Sequence, residues 1–196
     1  LSLKSDKRIG HYAYLNAGGP FAGGTLARDV VYLNNYCDLN HIKTPLLNSI
    51  IDSNQNHKEW IIRSLNKDFK FLKDLKILIL GLSYKTGTNT LRRSHSLEIA
   101  NFLSNQNLVY LYDPSIEIQK IKLPKNQILI NDLTHLGKDV DIFILSKNWP
   151  NQLSEIKKQI KINDKRLLIY DIHRSLKKDF KILKDLNCIY KAIGKC

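Results

Sequence analysis

Two stretches of the sequence combine residue types that could do chemistry. GGPFAGGTLARD, at 18–29, places four of the chain's nine glycines within seven positions. Glycine loses more backbone entropy on folding than any other residue. A cluster therefore signals positive-φ turns or a backbone that must come close to something. LSYKTGTNTLRRS, at 82–94, sets Lys85, Arg92 and Arg93 just before an expected helix start near Ser94. Cations beside the unpaired N–H groups of a helix N-terminus make an anion site, with phosphate the usual anion. Exposed loop cations would leave the same pattern. Arg174 follows a later apolar run, which puts it on the same rim as Lys85. Two cations on one rim are more informative than either alone. Asp113, in YDP, reads either as a partner for a ribose hydroxyl or as the opener of a turn. Trp149 and Pro150 read either as flanking a base or as core and turn.

Elements must hold these residues in place. From Leu75 onward, apolar runs at 76–84, 107–113, 127–131, 141–146, 166–173 and 188–194 alternate with segments suited to crossovers, at 95–104, 150–160 and 176–185. Continuous apolar runs mark strands covered on both faces. The expected fold class is therefore α/β: a helical segment followed by a Rossmann-like, doubly wound parallel sheet. Such sheets bind ligands beyond the carboxyl ends of their strands. The loop after the first strand is not a dinucleotide fingerprint, since Gly81 and Gly87 stand alone without G-x-G-x-x-G.

Residues 24–71 read as helical. Leu26, Val30, Leu33 and Cys37 share a face, and Thr44–Pro45 offers an N-cap with proline at the first helical position. Leu47, Ile50, Ile51, Ile61, Ile62 and Leu65 continue at helical spacing. Such a stripe needs a partner, either the next domain or another subunit. A two-fold partner, hence a homodimer, is expected. The expected division is 1–73 helical and 74–196 α/β.

Bulk properties narrow the class. With 43% hydrophobic and 25% charged residues, the composition is that of an ordinary globular protein. No apolar run approaches the roughly 18 residues of a membrane span, and LSLKSDKRIG is too polar for a signal peptide. The chain starts at Leu1 and has no Met, so it reads as a piece of something longer. Cys37, Cys188 and Cys196 are few and far apart, which suits a reducing compartment, read as the cytoplasm, without a disulfide framework or zinc site. The net charge of +13 invites a nucleic-acid reading. However, the lysines are dispersed among Asn and Ile, with no base-reading helix and no aromatic–basic interleave. A solvated basic surface is the favoured reading, and nucleic acid is not an expected partner.

Together these stretches resemble the UDP-glucose/GDP-mannose dehydrogenase family. GLSYKTGTNTLRRSHSLEIANFL is similar to its G-L-A-F-K-P-N-T-D-D-x-R-E-S-P motif, the most specific match. DKRIG and the glycine loop resemble D-x-R-I-G and G-F-G-G-S-C-F-P-K-D. LSKNWP, YDIHRSL and AIGK follow in the family's order. The resemblance covers essentially the whole chain, as the back half of the central helical domain plus the C-terminal nucleotide-sugar-binding domain. It implies an NAD-dependent enzyme that dimerises through its central helix, with NAD held mostly by an N-terminal Rossmann domain. By position, Tyr84 and Lys85 would hold the nucleotide diphosphate and Arg174 would complete the pocket. Arg8 would contact substrate across the dimer interface, and Arg92 would reach the NAD side. The backbone of Ala17, Gly18, Gly19, Pro20, Phe21, Ala22 and Gly23 would cradle the sugar.

One departure bears on the chemistry. The family oxidises an alcohol to an acid in two hydride transfers, with a cysteine holding the intermediate. A thiolate serves because it is nucleophilic and leaves readily. GGTLARD has one residue fewer than G-G-S-C-F-P-K-D and no Cys. Counting from Gly24 puts Leu26 at the nucleophile, and counting back from Asp29 puts Thr25 there. Leucine cannot react, while Thr25 reads either as a weak nucleophile or as the cap of its helix. Asp29 reads either as a water-orienting carboxylate or as an acid in a first helical turn. Arg93 stands where the family has an acid. The two functional readings are the C-terminal part of an NAD-dependent nucleotide-sugar 6-dehydrogenase, and a non-catalytic nucleotide-sugar-binding homologue that has lost the thiol.

Overall fold

Strand β1 (Lys76–Leu80) buries Ile77, Leu78, Ile79 and Leu80 completely, so neither of its faces meets water. This computed structural model describes residues 5–194 apart from 11–12, 14, 16–17, 22–24, 84–88, 117–121 and 137. Ahead of β1 come α1 (Leu26–Leu39), α2 (Pro45–Lys58) and α3 (Trp60–Asp68). After it follow α4 (His95–Leu103), β2 (Leu108–Tyr112), β3 (Gln127–Leu129), β4 (Ile142–Leu145), α5 (Gln152–Ile162), β5 (Leu167–Asp171), α6 (Phe180–Lys184) and β6 (Cys188–Ala192).

The six strands form one parallel sheet in the order β3-β2-β1-β4-β5-β6. The order reverses between β1 and β4, which is where a doubly wound sheet opens a crevice. Alternate residues feed two cores. Leu78, Leu80, Phe143 and Ile169 pack with Ile156 and Ile160 of α5 and Leu183 of α6. Ile77, Ile79, Ile142 and Ile144 pack with Ile61 and Leu65 of α3 and Ile99, Ala100 and Leu103 of α4. All six apolar runs are strands. The first ends at Leu80 rather than at 84, because Gly81 turns the chain at φ 95°.

The helical region differs from expectation in two ways. The helix expected to continue past α2 breaks at Glu59, and α2 itself buries no residue. Ile61 and Leu65, expected to meet a second subunit, instead lie under 2% exposed in the core beside the sheet. The nearest large apolar surface was this chain's own. Thr25 and Thr44 occupy the N-cap positions of α1 and α2, but neither side chain caps its helix. The Thr44 hydroxyl reaches Asn34 of α1 instead. Leu26, Tyr32, Leu39 and Leu46 remain exposed.

Asp68, at the end of α3, fastens the helical segment to the far side of the sheet. It accepts hydrogen bonds from the Tyr170 hydroxyl of β5 and the Lys191 ammonium of β6. Burial alone would raise its pKa, but Lys191 and Tyr170 outweigh that and hold it below the ordinary carboxylate value. Its contribution is therefore complete above the unfolded carboxyl pKa of about 4 and disappears as pH falls through the lower folded value. Asp68→Ala should reduce the unfolding free energy at pH 7 by about 1–3 kcal/mol. Urea titrations should show the deficit shrinking below about pH 4, and a deficit insensitive to acid would contradict the assignment.

Candidate functional site

Beyond Gly81, whose N–H still donates to the Tyr112 carbonyl of β2, the backbone N–H groups after β1 lose their strand partners, and a buried carboxylate replaces them. Asp113, directly after β2, accepts from the amides of Leu82 (2.8 Å) and Ser83 (3.1 Å). It also takes the Ser115 amide (2.9 Å) and hydroxyl (2.6 Å). Burial pushes its pKa up, but the bonds from Ser115, Leu82 and Ser83 more than offset this, and the group titrates below the ordinary value. Of the two readings for Asp113, the turn is the one formed. Its oxygens hold protein groups rather than facing a ligand.

Lys147, from the loop after β4, enters the same crevice. Its buried ammonium donates to the Ser83 hydroxyl and lies 3.5 Å from Asp113 and 3.4 Å from the Ser115 hydroxyl. Gly81 must be glycine here, since its φ is 95° and a Cβ would stand 2.3 Å from the Lys147 Cβ. At the other end of the loop, Ser94 accepts from the Leu97 amide as N-cap of α4 and donates to the Leu82 carbonyl. The cation-bearing loop is thus pinned at both feet. Arg92 and Arg93 stand exposed next to Ser94, whereas Tyr84 and Lys85 lie outside the described residues. Trp149 packs edge-on to Tyr112 and donates to Glu155 at 3.0 Å, a core role rather than a base-flanking one.

A second carboxylate shapes the other side of the rim. Asp171, fully buried at the end of β5, accepts from the amides of His173 and Leu176 and the hydroxyls of Ser175 and Tyr190. This forces a tight turn with Arg174 in the left-handed region, at φ 57°. Gly194, beyond β6, is the glycine that Arg174 Nη1 faces, 3.8 Å from where a Cβ would stand. The neighbouring His173 meets the glycine loop: the Gly19 N–H donates to its Nδ1 at 3.1 Å. A Cβ on Gly19 would lie 2.3 Å from the ring, so this close approach requires glycine.

Helix α2 holds the loop from the opposite side. Asn54 accepts from the Phe21 amide (2.9 Å) and donates to the Phe21 carbonyl (3.0 Å). His57 faces the Gly18 carbonyl; burial, the larger effect, lowers its pKa. Between loop and helix lies an open cleft of about 760 Å³, walled by Gly18–Phe21, Ile50, Ser53, His57 and His173. Of the residues expected to cradle a ligand, Gly18, Gly19, Pro20 and Phe21 line this cleft. Ala17, Ala22 and Gly23 lie outside the described residues. Arg8 is exposed and bound to Asp6 at 2.6 Å.

The expected reacting groups are elsewhere. Asp29 is an exposed acid in the first turn of α1, paired with Arg28 at 2.7 Å, and Thr25 is exposed beside it. Neither lines the cleft. Cys37 is buried in α1. Cys188 is buried in β6, where its thiol donates to the Leu183 carbonyl and burial pushes its pKa up. Neither is placed as a thiolate nucleophile. The described residues contain no cluster able to hold a metal ion and no helix long and apolar enough to cross a membrane. For a nicotinamide dinucleotide they offer the exposed cation Arg92 and no glycine-rich dinucleotide loop. These residues alone do not fit that cofactor.

Asn54, His57, Lys147 and His173 make contacts that shape the cleft and the crevice, and the sequence pattern does not single them out. LSKNWP and YDIHRSL are visible as motifs, yet which side chain turns inward depends on the partner element.

A crevice at the strand-order reversal, with a glycine loop folded over one rim, defines a doubly wound Rossmann-like α/β domain joined to a helical segment. The chain belongs to the UDP-glucose/GDP-mannose dehydrogenase family, whose UDP-binding-domain model matches residues 78–178. It is 33% identical over 198 residues to the UDP-glucose 6-dehydrogenase of Rickettsia conorii, covering 96% of this chain and 44% of that protein. The Rickettsia prowazekii enzyme of the same name is 34% identical over 197 residues, with the same coverage. The chain thus spans less than half the length of these relatives. A UDP-glucose dehydrogenase structure from Pyrobaculum islandicum superposes over the whole chain and 42% of its own, with a TM-score of 0.77 at 20% identity. An NDP-N-acetyl-D-galactosaminuronic acid dehydrogenase from Methanosarcina mazei gives 0.69 at 18%, over 93% of this chain and 40% of its own. Both share the fold.

Asp113→Ala would remove the carboxylate beside the buried Lys147 and leave two buried amides without an acceptor. It should cost about 3–5 kcal/mol in urea unfolding, with Asp113→Asn milder because one oxygen remains. A loss below about 1 kcal/mol would mean that other groups replace the carboxylate.

Proposed function

We propose that this chain is the nucleotide-sugar-gripping part of a nucleotide-sugar 6-dehydrogenase of the UDP-glucose type, an enzyme that oxidises a sugar CH–OH group with NAD. The observation that carries the reading is the glycine loop brought against the turn after β5, facing the carboxyl ends of the strands. Backbone N–H groups there can approach hydroxyl and phosphate oxygens without a Cβ between them. Tyr84, Lys85 and Arg174 hold the diphosphate, residues 17–23 the sugar, and Arg8 reaches the site of a second subunit. Residues 1–73 belong to the dimerisation domain, with the exposed apolar residues of α1 and α2 as its contact surface. NAD sits mostly on a part of the enzyme outside 1–196, with Arg92 on its side of the cleft, and the protein is cytoplasmic.

A second reading follows from one specific feature. The loop has no cysteine, and Thr25 and Asp29, the expected reacting groups, stand outside the cleft. The chain then binds a nucleotide sugar without completing its oxidation.

Calorimetric titration of the chain with UDP tests the binding that both readings require. A hydrogen bond to a charged group contributes about 1.5–3 kcal/mol, so Lys85→Ala and Arg174→Ala should each weaken UDP binding about tenfold or more. A short DNA duplex that binds tightly with a steep salt slope, while UDP does not bind, would overturn the reading. With UDP-glucose and NAD, the chain should form no NADH by absorbance. Sustained NADH production would eliminate the second reading.

A further inference from the structure

One peptide group of the glycine loop lies between two histidines from different elements. The carbonyl of the Gly18–Gly19 peptide faces His57 of α2, and its N–H donates to Nδ1 of His173 after β5. A nitrogen that accepts from an N–H carries no proton, so His173 is neutral with its proton on Nε2. Protonation at Nδ1 would set two N–H groups against each other. The contact therefore exists in one protonation state only.

We propose that His173 is a positioning residue of the nucleotide-sugar site, one that holds the Gly18–Gly19 peptide against the carboxyl end of β5 through unprotonated Nδ1 and releases the loop when that nitrogen is protonated. The inference rests on the proposed substrate class. It adds that the cradle is assembled by His173 and comes apart in acid.

The groups around the ring set the direction. One edge of the ring remains open to solvent, and the desolvation imposed by the atoms packed around the rest of it disfavours the imidazolium most; Asp171 of β5 opposes this, and His57 of α2 reinforces it. His95, the first residue of α4, also senses His173 and is itself held neutral, down to about 4, chiefly by burial. Arg174, next in the chain, adds a further positive charge. Asp171 is occupied by the Ser175 and Tyr190 hydroxyls and two amides. A folded pKa below the ordinary 6.5 keeps the latch closed above that pH and opens it as pH falls through the lower folded value.

Two measurements on the full 196-residue chain test this. In amide NMR spectra recorded from pH 8 to pH 5, the Gly19 signal should move with the titration of the His173 ring nitrogens. UDP-glucose binding should weaken over the same interval by about fivefold to tenfold, the worth of about one net hydrogen bond. UDP-glucose is the probe because its diphosphate diester keeps its charge throughout this range. His173→Asn places a carbonyl oxygen near the position of Nδ1, which accepts without titrating. It should bind as wild type does at pH 8 and lose the acid dependence. His173→Leu should bind weakly at every pH, and so should Gly19→Ala. A Gly19 signal indifferent to the His173 titration overturns the proposal, as does a His173→Leu protein whose affinity and pH profile match wild type. A Gly19 signal that follows His173 in a chain that never binds UDP-glucose leaves the latch standing and removes the nucleotide-sugar reading instead.

Discussion

The rim of this domain depends on two buried carboxylates that take over where the sheet's hydrogen bonding stops. A parallel sheet covered on both faces must satisfy every backbone N–H; Gly81 and Ile172, the first residues past β1 and β5, still pair with neighbouring strands, but Leu82, Ser83, His173 and Leu176 do not. Asp113 takes the amides after β1, and Asp171 takes those after β5. Each carboxylate also gathers side chains, Ser115 and Lys147 in one case, Ser175 and Tyr190 in the other. The two loops that face the crevice therefore start from rigid feet. Such preorganisation keeps the ordering cost of binding a ligand low.

The same economy joins the helical segment to the sheet. Helix α3 contributes Ile61 and Leu65 to the core, and Asp68 at its end receives Tyr170 and Lys191. With α3 fixed, α2 is carried to the edge of the crevice, where Asn54 and His57 meet the glycine loop. The loop is thus held by side chains from α2 and from the turn after β5, far apart in sequence. Gly19 makes sense in that setting, since a single methyl group there would collide with the His173 ring.

The chemistry of the loop remains its most unusual aspect for this family. The glycine loop that meets His173 continues into Thr25, Leu26 and Ala27, with no cysteine among residues 18–29. The two buried cysteines are placed for packing, not for attack. Asp29 spends its charge on Arg28 at the surface.

The sequence by itself determined the sheet, because six apolar runs of strand length, interleaved with amphipathic segments, admit few arrangements other than a doubly wound parallel one. It also determined which loops would gather at one edge, since parallel strands send their carboxyl ends to one rim, and it determined the family through motifs read in order. It did not determine whether the stripe through Ile61 and Leu65 would meet this chain's sheet or a second subunit, because an apolar face looks the same for either partner. Nor did it separate His173 from Arg174, adjacent in YDIHRSL. Which of them meets Gly19 and which lies near Gly194 follows from the turn that Asp171 imposes. Lys147, one polar residue among many in the sequence, became the buried ammonium of the crevice only because the sheet brought Asp113 and Ser83 beside it. Periodicity reports local conformation and which faces are apolar. Pairings between residues 30 to 150 positions apart depend on the closed packing of the sheet, and only the tertiary structure decides them.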